Sequence, residues 1–168
     1  MVRPHHMYVN ESGGCQVTFV SWNVKSLNHP VKRTEVISHL KQLNVGIAFL
    51  QETHLTTFDH FRLRGGWVGH LYHSNFHSKF RETAILINKN VPFVMSSVEA
   101  DSSGPYIIVV GKLNNTLVTL ANLYASNWDD STFFTVFFFT STQYRYTSPH
   151  IRRRYELCLV AHSGSQLT

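Results

Sequence analysis

Gln16-Val-Thr-Phe-Val-Ser-Trp22, then Asn28-His29-Pro30 followed by Val36, Leu40 and Leu43, then Val45-Gly-Ile-Ala-Phe-Leu50, decide the fold. The first run is β-branched and aromatic and apolar on both faces, the pattern of a buried central strand. Asn28-His29-Pro30 offers a cap with proline in the first helical turn, and Val36, Leu40 and Leu43 fall on one helical face through Asn44. The third run is a second short strand bounded by polar residues. Together they predict a strand–helix–strand unit with two parallel strands, because parallel partners need a crossover long enough to hold a helix.

From Trp67 onward the pattern changes. Trp67–Ser74, Ala84–Asn88, Pro92–Val98, Tyr106–Leu113 and Thr116–Tyr124 are strand-like runs at short spacing with no helical period between them, so they are expected to be antiparallel. Asn114-Asn115 separates the last two and suits the left-handed conformation of a tight hairpin. Asp129, Asp130 and Ser131 can cap a helix from about residue 130. On the other side of the opening unit, residues 1–15 are polar and broken by Gly13-Gly14, so a disordered N-terminus is expected there. After Phe139 the pattern loses coherence, which leaves one domain over residues 16–139 and an unrelated tail over 140–168.

The composition fits one core: 168 residues, 43% hydrophobic and 15% charged. The net charge of +5 is misleading, since residues 1–139 hold 11 basic and 9 acidic side chains while the tail holds Arg145, Arg152, Arg153 and Arg154 against Glu156. Basicity concentrated in a tail is poor support for a nucleic-acid surface on the domain. Cys15 and Cys158 make no disulfide framework, and no C-x-x-C motif is present. Met1–Gly14 lacks the apolar run of a signal peptide, and Phe133–Phe139 is far short of the roughly 20 residues of a membrane helix. The expectation is an intracellular protein, nuclear or cytoplasmic and not secreted, with no membrane or disulfide partner.

Both strands of the opening unit end in chemically useful groups: Asn23 after the first and Gln51-Glu52-Thr53-His54 after the second. In open α/β sheets ligands gather at the carboxyl ends of strands, and a carboxylate there can hold Mg²⁺ beside waters and a substrate phosphate. From these two residues alone, a solvated loop carboxylate and a turn asparagine is the stronger reading. His70, His73 and His77 lie in a strand and loop, where alternation does not gather all three, so they read as surface histidines. Phe133, Phe134, Phe137 and Phe138 share a helical face and read as core packing before base stacking.

Four ordered blocks carry a more specific resemblance. Ser21-Trp-Asn-Val24, Ala48-Phe-Leu-Gln-Glu-Thr-His-Leu55, Ala84–Asn90 ahead of Val91-Pro92-Phe93, and Leu120-Ala-Asn-Leu-Tyr-Ala-Ser-Asn-Trp-Asp-Asp130 resemble, in order and spacing, the endonuclease/exonuclease/phosphatase superfamily. The similarity is closest to the apurinic-type endonuclease domain of LINE-type (non-LTR) retrotransposons, which accompanies a reverse transcriptase. It implies a partial two-sheet α/β sandwich whose second half is missing, and Mg²⁺-dependent cleavage of a DNA phosphodiester, with Mn²⁺ as a possible substitute. On that resemblance Glu52 matches the metal-binding glutamate, Asn23 the active-site asparagine and Tyr124 the tyrosine approaching the scissile phosphate. Asn127 matches a phosphate-contacting neighbour, and His54, beside Glu52, is a further candidate for phosphate contact or an ordinary loop residue.

The resemblance also has gaps. The family's Gly-Gly-Asp-x-Asn segment and its Ser-Asp-His ending are absent, Glu82-Thr83 stands in place of Gly-Val, and Ser126 replaces a proline. Arg152-Arg-Arg-Tyr-Glu-Leu-Cys-Leu159 can be encoded AGG AGG CGA TAT GAA CTG TGT CTT, which read one base later gives Gly-Gly-Asp-Met-Asn-Cys-Val. A frame-shifted tail follows as the preferred account, with residues 140–168 expected to pack poorly and apolar surface left open. The functional expectation is a truncated, inactive relic of a DNA-nicking enzyme, a pseudoenzyme. An active Mg²⁺ phosphodiesterase of the same superfamily and a non-catalytic nucleic-acid-binding module are the alternatives, and the oligomeric state is open.

Overall fold

The structure, a computed structural model, describes residues 5–9, 17–55, 57–74, 82–100, 106–125 and 156–163. The opening unit forms as its pattern dictates: β2 (Val17–Asn23), α1 (Pro30–Gln42) and β3 (Ile47–Gln51). β2 and β3 are parallel, with Phe19 beside Ile47 and Asn23 beside Gln51. Pro30 opens α1, and Leu43 closes it with its amide on the His39 carbonyl.

Two sheets result. β1 (His5–Val9), β2, β3, β5 (Thr83–Asn88) and β4 (Val68–His73) form the first in that order; β6 (Phe93–Ala100), β7 (Tyr106–Leu113), β8 (Thr116–Ala125) and β9 (Glu156–Ser163) form the second. The expected antiparallel pairings of β4 with β5, β6 with β7 and β7 with β8 are present. What strand patterning does not reveal is that β5 docks antiparallel on β3, so the first two of these runs extend the first sheet.

Alternation along the central strands explains why they are apolar on both faces. Phe19, Ile47, Phe49, Ile85 and Ile87 point to the layer between the sheets, where they meet Phe93, Ile107, Val109, Val118 and Leu120. Val20, Trp22, Ala48, Leu50 and Leu86 point the other way, onto Val36 and Leu40 of α1 and onto Leu63 and Trp67. Burying each large aliphatic or aromatic side chain contributes about 1.5–3 kcal/mol, so these two layers hold the sandwich together. The mixed α/β two-sheet architecture is the one expected.

Asn114 and Asn115 adopt φ 47° and 68° in the two-residue loop of the β7–β8 hairpin, where Leu113 pairs with Thr116. This conformation matches the twist of the flanking strands and penalises residues that resist the left-handed region. Asn115→Ala is expected to cost about 1 kcal/mol in urea denaturation, and Asn115→Gly to cost nothing or stabilise.

Several expectations need correcting. Residues 1–15 are not wholly without structure, because His5–Val9 pairs antiparallel with β2 from His5 opposite Ser21 to Val9 opposite Val17. Nor is the tail unconnected: Glu156–Ser163 runs parallel to β8, with Leu120 beside Cys158 and Tyr124 beside His162. An edge strand presents unpaired amides and carbonyls, and the apolar run Leu157–Val160 can complete them whatever its origin. The apolar outer face of the second sheet is covered at Tyr106, Ile108, Ala121 and Leu123, all buried, whereas Val94, Met95 and Val98 on β6 are exposed. A short α2 (Thr57–Phe61) was not legible in the sequence. His73 is no surface residue: it is half-buried, its ring stacks on buried His60 at 3.9 Å between centroids, and burial lowers its pKa. His77, Asn127, the expected helix from residue 130 and the phenylalanine cluster lie outside the described residues. No helix among the described residues is long and apolar enough to cross a membrane.

Candidate active site

The parallel pairing of β2 and β3 does not stop where the strands do. Beyond Asn23 and Gln51 the amides of Val24, Ser26 and Leu27 donate to the carbonyls of Gln51, Glu52 and Thr53 at 3.0, 2.7 and 2.7 Å. Two loops are thereby zipped together at the carboxyl end of the parallel pair. The zipping demands unusual backbone: Lys25, Ser26, Glu52 and His54 have φ 45°, 78°, 53° and 52°. Non-glycine residues in this region cost of order 1–3 kcal/mol each and persist only where surrounding contacts dictate them, a pattern that gathers at functional sites.

Asn23 is buried, and its Oδ1 accepts the Lys25 amide at 3.1 Å, which fixes the turn that aims the loop. Glu52 is half-buried on the facing loop. His54 lies close enough to feel its charge; burial lowers the His54 pKa, Glu52 opposes that, and Lys32 adds to it. Lys32 in turn donates from Nζ to the Lys25 carbonyl at 2.8 Å.

Tyr124 reaches the same end from the other sheet. Along β8, Val118, Leu120 and Asn122 face the first sheet, and alternation puts half-buried Tyr124 on that face. Fully buried Asn122 is the link. Its Oδ1 accepts Gln51 Nε2 at 2.7 Å, while its Nδ2 donates to the carbonyls of Leu50 at 3.0 Å and Ala84 at 2.8 Å. Gln51 Nε2 also reaches Ser21 Oγ at 3.2 Å. One amide pair therefore ties β2, β3, β5 and β8 together directly beneath Glu52 and Tyr124.

Gln51, Asn122 and Glu82 were missed as site-supporting residues. The available signal was a polar residue inside an otherwise apolar strand run, which an interior can hold only with a partner. Glu82 is buried before β5; its backbone carbonyl accepts the Thr53 amide at 3.3 Å, and its carboxyl accepts Thr53 Oγ1 at 3.4 Å and the Leu55 amide. Burial outweighs these donors and pushes its pKa up to about 7. Glu82 thus braces the Glu52 loop from below rather than adding a second exposed carboxylate.

Among the described residues no group of three or more His, Cys, Asp or Glu could hold a metal ion. What the rim does offer is one half-buried carboxylate, Glu52, beside an amide. That donor set fits Mg²⁺ only as an ion keeping most of its waters, since magnesium accepts one or two carboxylates when substrate phosphate completes its shell.

A two-sheet α/β sandwich with its polar rim at the carboxyl ends of a central parallel pair is the endonuclease/exonuclease/phosphatase type of fold. No family model matches the chain. Among solved structures it is similar to TDP2 from Caenorhabditis elegans, with a TM-score of 0.57 and 21% identity over 79% of this chain and 44% of that one. D. rerio TDP2 complexed with single-strand DNA product gives 0.53 and 14% over 79% and 56%. The human Nocturnin catalytic domain with bound sulfate gives 0.56 and 13% over 90% and 67%. At these identities the likeness is one of fold, and the chain spans less than half of the first of these proteins.

Proposed function

We propose that this chain is a remnant of a Mg²⁺-dependent DNA endonuclease of the apurinic type carried by LINE-type retrotransposons, and that in its present form it does not nick DNA. The observation that carries the reading is the rim: Asn23 and Gln51 are register partners, Gln51 is bonded to Asn122, and Glu52 and Tyr124 stand one and two residues further along. Glu52 would hold the ion, which when bound there would neutralise charge developing on the phosphodiester. Asn23 and Tyr124 would orient the scissile phosphate, with His54 and Asn127 as further phosphate contacts. The DNA partner is supported by the fold likeness to a protein crystallised with single-strand DNA product. The proposed place of action is inside the cell, in nucleus or cytoplasm.

Inactivity follows from what the sequence lacks. No Gly-Gly-Asp-x-Asn run follows Tyr124 in the frame as written, and none of the matched residues Asn23, Glu52 and Tyr124 is assigned to activate water. General-base assistance typically worth 10²–10⁴-fold is then missing. Purified chain with Mg²⁺ or Mn²⁺ is expected to nick supercoiled plasmid no faster than background. The chain with its frame corrected at residues 152–159 and extended through the family's second half is expected to nick, and Glu52→Ala to abolish it. Metal-dependent nicking by the 168-residue chain, lost on Glu52→Ala, would establish the active phosphodiesterase instead. A second reading, a nucleic-acid-binding module that kept the fold without the cut, is favoured by the cationic cavity described next.

A further inference from the structure

The outer surface of α1 and the turn after α2 enclose a cavity of about 340 Å³. Its floor is Ile37 and Leu63, and its charged lining is Arg33, Lys41 and Arg62, with no Asp or Glu. Arg33 is 8% exposed, its Nη1 donates to the carbonyls of Leu27 and Asn28 at 2.9 Å each, and none of the described carboxylates pairs with it. Burying a guanidinium on two neutral carbonyls holds a full positive charge at the cavity wall without cancelling it. Lys41 is exposed, and Arg62 shares its Nη1 with Asp59 at 2.9 Å.

A second feature adjoins the first. Phe58 is 83% exposed and Phe61 52% exposed on α2, immediately before Arg62, and Arg64 lies 5.1 Å over the Phe61 ring. Large aromatics left in water beside cations have an evident use when they stack unpaired bases, because every base presents a π-face. The spacing separates a strand from a single phosphate. Arg33 and Lys41 are eight residues apart on one helix, about 12 Å at 1.5 Å per residue. One phosphate group cannot bridge that distance, so cations this far apart fit a strand that carries a phosphate at every nucleotide.

We propose that the α1–α2 surface is a binding track for single-stranded nucleic acid, in which Arg33, Lys41 and Arg62 hold successive phosphates and Phe58 and Phe61 stack bases. The track is separate from the rim and does not depend on cutting there. It is tested by fluorescence anisotropy of a labelled oligothymidylate with the full chain carrying Glu52→Ala in EDTA, so that its failure and a failure to nick are distinct results. Lys41→Gln and Arg62→Gln are each expected to lower affinity about fivefold at 0.1 M salt and to reduce the log–log salt slope by about 0.7. Phe58→Ala is expected to lower affinity about tenfold with the slope unchanged, the mark of stacking rather than ion pairing. Lys112→Gln, the same charge loss on β7 of the opposite sheet, is expected to change neither. All four side chains are exposed, so circular dichroism melts should superimpose. No binding by the parent chain, an unchanged slope in both cation variants, an equal loss with Lys112→Gln, or thymidine monophosphate competing as well as the oligonucleotide per phosphate would each overturn the proposal.

Discussion

Asn122→Ala will lower the stability of the sandwich by about 3–5 kcal/mol, read by urea or guanidinium denaturation. Three hydrogen bonds go with the amide, those to Gln51 Nε2 and to the carbonyls of Leu50 and Ala84. Each is worth about 1 kcal/mol net, and the groups left behind add a desolvation penalty of about 1–3 kcal/mol because the site is sealed. Gln51 suffers most: its Oε1 is already buried without a partner, and Nε2 keeps only longer contacts to Ser21 Oγ at 3.2 Å and the Phe49 carbonyl at 3.4 Å. Asn122→Asp is the sharper comparison. It preserves shape and the bond from Gln51 but turns the donor facing two carbonyls into an acceptor, and it is expected to destabilise at least as much at neutral pH. A loss below 1 kcal/mol for both variants would mean that the sheets are held by apolar contacts alone.

The strand–helix–strand opening was legible because its signals are local: two runs apolar on both faces, and Pro30 ahead of Val36 and Leu40 on one helical face. The β7–β8 hairpin was legible because Asn114-Asn115 states its own backbone conformation. Partnership is what local pattern cannot carry. Thr83–Asn88 reads as a strand in either sheet, and its place beside β3 depends on Ile85 and Ile87 meeting residues of β7 and β8 further along the chain. The terminal strands β1 and β9 were missed for a related reason, since each is a short run inside a largely polar stretch and its pairing with β2 or β8 is not stated locally. The site divides the same way. Asn23 and Glu52 could be placed at one end from the parallel pairing alone. The Gln51–Asn122 bond spans 71 residues, and its two amides look like ordinary polar interruptions until the sheets are stacked.

Glu82→Gln will stabilise the protein at pH 8 by about 3 kcal/mol and leave it nearly unchanged at pH 4. The sign follows from proton counting. With its pKa pushed from 4.5 up to about 7 by burial, folded Glu82 keeps its proton where the unfolded chain has already lost it. Between these values the native state binds more protons than the unfolded state, so stability falls as pH rises. Below 4.5 both states are protonated, and above about 7 the loss is complete, reaching about 3 kcal/mol at 1.36 kcal/mol for each pH unit of the window. His54 and His73, whose pKa values burial lowers, act oppositely by favouring the native state as pH rises through the histidine range. The parent profile alone would mix these effects, whereas subtracting it from that of Glu82→Gln cancels the histidines. Glutamine keeps an acceptor for Thr53 Oγ1 and the Leu55 amide while removing the ionisation. A difference profile flat from pH 4 to pH 8 would show that Glu82 ionises normally in the native state. A rising one shows that burial holds the carboxyl beneath the Glu52 loop neutral, and that ionising it above about pH 7 costs the native state stability.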